Sequence, residues 1–229
     1  MRFFNTFRSP EDMRPAFVEA AAGLNLPELI EADQPKLPHT VAQYDIVPIV
    51  ADSLPRSRYG QPGWEWQMKT SDPQTVEMGY KDYSPKLGEY ATRPWVDGTL
   101  GLGLTYRPKP AEPTRRLVAV ASGRIDRHTF LVEQLQAAWT MPEPRRRDTG
   151  LYGGFNWNNV LLRGLVQTSR DMGLRSVQVR GDAYRRRVGL APVVPSETWK
   201  KNYDEAAEAV GFDPPRTPRD MWHLDLTRK

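Results

Sequence analysis

Apolar residues along the chain fall into blocks of near-helical spacing separated by blocks of strict alternation, the mark of helices interleaved with strands. Met13, Phe17, Ala20 and Leu24 recur at helical spacing behind Ser9-Pro10-Glu11-Asp12. That tetrapeptide is a strong start signal. Serine can cap free amides, proline fits the first helical position, and two acids favour the positive end of the helix dipole. Gly23 suits the stop, a second short helix is expected over residues 27–32, and Phe3, Phe4 and Phe7 predict an opening strand. From 39 to 106 the pattern turns extended, with strands expected over 41–50, 64–68 and 100–106 and a turn at Asp97-Gly98. The tryptophans and tyrosines of this stretch fit either the filling of a sheet core or the wall of a substrate site.

The second half is more regular. Residues 117–122 and 129–136 predict an antiparallel hairpin joined through Gly123-Arg124-Ile125-Asp126-Arg127-His128. A Pro- and Arg-rich loop over 141–149 leads to Gly150-Leu151-Tyr152-Gly153-Gly154. The clearest helix follows over 157–172, with Trp157, Val160, Leu161, Leu165 and Met172 on one stripe, Asn156 or Asn158 as cap and Gly173 as stop. A strand over 174–180, a loop through Pro192 and Pro195, and a last helix over 197–210 complete the pattern. Trp199, Tyr203, Ala206, Ala207 and Val210 share a face of that helix, Gly211-Phe212 ends it, and 221–226 alternates as a closing strand. The expected fold is α/β: a mixed, mostly antiparallel sheet flanked by helices, one domain over 1–229, with a strand-rich elaboration at 39–106.

Composition narrows the chemistry. With no cysteine among 229 residues, disulfides, thiolate nucleophiles and cysteine zinc sites are excluded. The three histidines, His39, His128 and His223, show no metal-ligand spacing. Gly101-Leu102-Gly103 lies in a strand-like alternation and not ahead of a helix, so it is no dinucleotide motif. The longest clean apolar run in mid-chain, Leu117 to Ala121, is far short of the ~20 residues that span a bilayer. Glu11 and Asp12 argue against a transit peptide. These features predict a cytoplasmic protein without a membrane partner. Net charge is +4, with basic runs at Arg145-Arg146-Arg147 and Arg185-Arg186-Arg187 that could meet phosphate or simply face solvent.

The order of elements resembles the GNAT acetyltransferase superfamily along most of the chain. The resemblance rests on three places: the opening strand with its Ser9-Pro10-Glu11-Asp12 helix, the hairpin, loop and helix over 117–172, and Tyr203 to Phe212 followed by Trp222-His223-Leu224-Asp225-Leu226. It implies an acyl-CoA-dependent N-acyltransferase that transfers directly from acetyl-CoA or another acyl-CoA to a small-molecule or peptide amine. Members hold the diphosphate on a loop of the form Gln/Arg-x-x-Gly-x-Gly/Ala that opens a helix. Arg147-Asp148-Thr149-Gly150 matches its first half, and Tyr152 stands where a second small residue is expected. The resemblance therefore assigns Arg147, Gly150, Gly153, Gly154 and Asn156 to the donor.

For catalysis the resemblance implies a general base and a tyrosine that protonates the leaving thiolate. Glu133, within Phe130-Leu131-Val132-Glu133-Gln134-Leu135-Gln136, is the base candidate, since apolar neighbours would raise its pKa. The family's tyrosine falls at Ala207, and Tyr203 lies one turn earlier on the same face. Two alternatives stand beside this. One is a catalytically inactive module of the same fold that binds nucleic acid or a protein through its arginine-rich surface. The other is a related enzyme acting on a modified base or an aminoacyl donor.

Overall fold

The computed structural model describes residues 13–34, 36, 41–54, 63–68, 76–77, 98–107, 115–137, 155–187, 197 and 200–228. The expected opening strand, the Ser9 start signal and the 141–154 loop lie outside them.

One mixed, mostly antiparallel eight-stranded sheet organises the chain. Its strands are β1 (Tyr44–Leu54), β2 (Gly63–Met68), β3 (Val76–Glu77), β4 (Leu100–Tyr106), β5 (Arg115–Asp126), β6 (Thr129–Ala137), β7 (Ser176–Val179) and β8 (Trp222–Asp225). They lie in the order β2-β1-β4-β5-β6-β7-β8, with β3 pairing to the start of β5. The helices are α1 (Met13–Ala22), α2 (Leu26–Glu31), α3 (Trp157–Asp171), α4 (Asp182–Arg187) and α5 (Ala206–Val210). A π-helical turn (Lys200–Glu205) runs directly into α5.

The main core lies between the sheet and α1, α2, α3 and α5. Phe17 of α1 stacks on Phe130 of β6 at 6.0 Å between ring centroids. Leu102, Leu104, Val160, Leu161, Leu162 and Leu165 are fully buried there, each such side chain worth about 1.5–3 kcal/mol. Gly164 lets α3 lie close, since a Cβ there would stand 2.9 Å from the Leu102 Cδ1. Strand alternation sends Gly101, Gly103, Ser122 and Gln134 to the opposite face, where the Ser122 hydroxyl donates to Gln134 Oε1 at 3.0 Å. Gly101-Leu102-Gly103 is thus strand, as expected.

Several boundaries differ from the sequence-based expectation. The predicted connection over 123–128 is strand up to Asp126, and the hairpin closes through Arg127 and His128 alone, with Arg127 at φ 57°. Gly123 is no turn residue: a Cβ there would collide with the Leu131 carbonyl of the neighbouring strand. The last helix is α-helical over Ala206–Val210 and π-helical over Lys200–Glu205. Neither β3 nor α4 was expected from the pattern. The helix stops are where the glycines put them, with Gly173 at φ 74° and Gly211 at φ 91°.

Candidate functional site

The site is built where two parallel strands part. β6 and β7 pair from Thr129↔Ser176 to Val132↔Val179, and the Arg180 amide reaches back to the Val132 carbonyl at 3.5 Å. Beyond that point β6 runs on to Ala137, while the other arm turns away at Gly181 into α4. The parting coincides with a bulge. Ser122 pairs with Gln134 and Gly123 with Val132, so the register skips Glu133. A bulge adds twist and re-aims a side chain, here at the crotch of the fork.

Tyr203 meets β6 beyond the point where β7 leaves it. It comes from the π-helical turn, is 1% exposed, and its phenol oxygen accepts from the Leu135 amide at 2.7 Å. The flanking residues reach other elements: Asn202 Oδ1 accepts from Asn158 Nδ2 at 3.3 Å, and Asp204 accepts from the Trp222 indole at 2.6 Å and from the Asp182 amide at 3.3 and 3.4 Å. The Asn158 bond brings the first turn of α3 beside the fork.

That first turn leaves several polar groups unpaired within the helix. Its first helical bond is from the Val160 amide to the Asn156 carbonyl at 3.1 Å, so the amides of 157–159 have no acceptor within the helix. Asn156 occupies the cap position, but its side chain makes no capping hydrogen bond. Asn158 and Asn159 are both buried, and each keeps an Oδ1 without a donor among the described residues. Phe155, just ahead, packs edge-on against Tyr44 at 5.3 Å.

Glu133 sits in surroundings unlike those its strand neighbours suggest. Its Oε1 lies 3.0 Å from Arg180 Nη2 and 3.7 Å from Arg124 Nε, while its side chain is 10% exposed. Arg180 also lies over the Tyr184 ring at 5.8 Å and has a buried Nε without an acceptor among the described residues. The apolar environment expected for a base is therefore a pair of guanidinium groups. They come from β5 and from the end of β7, which a single-strand pattern cannot reveal.

Of the residues singled out from the sequence, Glu133 lies on β6 at the fork, Tyr203 bonds the Leu135 amide of the same strand, and Asn156 occupies the cap position of the adjoining helix. Arg147, Gly150, Gly153 and Gly154 lie outside the described residues. Compared with known proteins, the chain matches no family model, no curated protein and no solved structure. Among the described residues there is no group of three His, Cys, Asp or Glu side chains fit to hold a metal ion. No helix among them is long and apolar enough to cross a membrane.

Arg180, Asn202, Asp204 and Trp222 were not singled out as site residues from the sequence, and Asn158 was named only as an alternative helix cap. Arg180 alone carries a readable signal, as a charged residue closing an apolar strand. Asp204 is the electrostatically unusual one. Burial raises its carboxyl above the ordinary value of 3.8, against the opposing pull of the Trp222 and Asp182 hydrogen bonds. An acid that holds its proton more tightly when folded contributes stability below the ordinary value, and that stability is lost as pH rises through the folded value. Asp225 has the opposite sign, because the Thr227 hydroxyl and amide lower its carboxyl. Asp204→Asn should therefore remove a fall in stability with rising pH across the carboxylate range, visible in the urea midpoint. An unchanged slope would mean that Asp204 titrates like a free carboxylate.

Proposed function

We propose that this chain is an acyl-CoA-dependent N-acyltransferase of the GNAT kind, acting by direct transfer on an amine. The observation that carries this is the fork itself: a parallel strand pair that parts at Val132 and Val179, with a tyrosine hydroxyl in the gap. The start of α3 stands beside it. First-turn amides without an acceptor in the helix suit phosphate oxygens, and the two asparagine oxygens with no donor among the described residues suit a ligand that carries amide N–H groups. Acyl-CoA offers both chemistries.

In the reaction, the amine nitrogen attacks the thioester carbonyl, the new C–N bond forms and the C–S bond breaks. The proton lost by the amine passes to Glu133, and the leaving thiolate takes the Tyr203 proton. The two arginines hold Glu133 at the bulge. Arg147, Gly150, Gly153 and Gly154 would extend the donor site along the loop ahead of Asn156.

Titration calorimetry with acetyl-CoA and with CoA is expected to show saturable binding, with release of free thiol when an accepted amine is added. Absence of heat and of any thermal shift at millimolar donor would remove the proposal. One observation favours a non-catalytic version, namely that the Glu133 carboxylate is already engaged by two guanidinium groups. That version, a module binding nucleic acid through surfaces such as Arg186 and Arg187, predicts retardation of DNA or RNA that weakens steeply with salt, and no thiol release.

A further inference from the structure

We propose that Asp204 is a positioning residue for Tyr203, anchoring the π-helical turn to one arm of the fork so that the phenol stays on the Leu135 amide of the other. This rests on the role assigned to Tyr203 above. Three consecutive side chains of the turn reach three separate parts of the fold. Asn202 meets the first turn of α3, Tyr203 meets β6, and Asp204 meets both the Asp182 amide at the head of α4 and the Trp222 indole of β8. Tyr203 and Asp204 therefore hold opposite arms of the parting strands from adjacent positions of one turn, and the width of the gap is set by that turn.

Two features show that the anchor is built and not incidental. The turn is π-helical, a geometry that widens the helix locally and recurs at functional sites. Gly181 stands where the second arm bends away, and a Cβ there would collide with Asp204 Oδ1 and come within 2.9 Å of the Trp222 ring. The bare backbone lets carboxylate and indole close on the arm. The carboxylate is half-buried, and its donors are an indole N–H and a backbone N–H. Oδ1 accepts from the indole and Oδ1 and Oδ2 share the Asp182 amide; Asp204→Asn would put an NH2 group in place of one of these oxygens, so the two acceptor oxygens of a carboxylate suit the position.

Residue-resolved amide exchange on the full chain tests this, compared across wild type, Tyr203→Phe, Asp204→Ala and the milder Asp204→Asn. Tyr203→Phe should speed exchange at Leu135 by about tenfold, as the loss of one buried hydrogen bond supplies. Asp204→Ala should reproduce that local effect without touching the tyrosine, and Asp204→Asn should fall between it and wild type. In turnover assays both Asp204 variants should lower kcat with KM for acyl-CoA unmoved. Leu135 exchanging at the wild-type rate in both Asp204 variants, or uniform acceleration across β5, β6 and β7, would overturn the proposal. The exchange measurement needs no activity. A Leu135 response without acyl-CoA binding keeps the anchor and removes the transferase, whereas binding and turnover with Leu135 unmoved removes the anchor alone.

Discussion

Tyr203→Ala is expected to destabilise the native state by about 3–5 kcal/mol, the range for removing a fully buried aromatic side chain. Tyr203 is 1% exposed and stands between β6, which it hydrogen-bonds, and the helix that carries it. Truncation opens a cavity there and leaves the Leu135 amide without its acceptor. Tyr203→Phe keeps the ring and loses only the oxygen, so the expected cost is about 1–3 kcal/mol, that of one buried donor left unsatisfied. Denaturant unfolding separates the two: both midpoints should fall with the slope unchanged, the alanine variant by the larger step. A cost below about 1 kcal/mol for the alanine variant would mean that the ring is not closely packed against β6. On activity the order should narrow. Both variants lack the phenol proton, so both should lose thiol release, while the phenylalanine variant still unfolds cooperatively.

How much of this was legible before the structure depended on whether an element carries its own pattern. α3 was, because its apolar stripe is long and Gly173 marks the stop, and the burial of Val160, Leu161, Leu165 and Met172 follows it. Asn158 and Asn159 were not, since two asparagines in a helix look solvent-facing until Asn202 and the fork are brought to them. The extent of β5 was misjudged at Gly123, where a glycine required by the close approach of the Leu131 carbonyl looks like a glycine required by a turn. α4 has six residues, too few for a stripe. The π-helical turn leaves no mark in residue types at all, because Trp199, Tyr203, Ala206, Ala207 and Val210 suit an α-helix equally well. Tyr203 was found by its helical position, whereas Asp204, its neighbour, owes its significance to Trp222 and Gly181, residues that no local pattern links to it.

The same dependence on partners gives the second large effect. Glu133→Ala should cost about 2–4 kcal/mol, toward the lower part of the range for breaking a buried ion pair, because the stranded arginines are not wholly dry. The Arg180 side chain is 19% exposed and Arg124 is 54% exposed, so Arg124 turns to water more readily than Arg180, which lies over the Tyr184 ring and has a buried Nε without an acceptor among the described residues. Nearly all of the penalty should therefore run through Arg180. A double-mutant cycle shows this: Glu133→Ala with Arg180→Met should be less destabilised than Glu133→Ala alone, since the stranded charge is gone, whereas adding Arg124→Met should change little. Equal rescue by both would place the carboxylate midway between the arginines and contradict the 3.0 and 3.7 Å distances. Glu133→Gln separates structure from chemistry. It preserves volume and one acceptor oxygen, so its stability loss should be well below that of alanine, yet it cannot take a proton from an amine. Thiol release that survives in Glu133→Gln would assign the carboxylate to holding the fork and leave proton removal to another group.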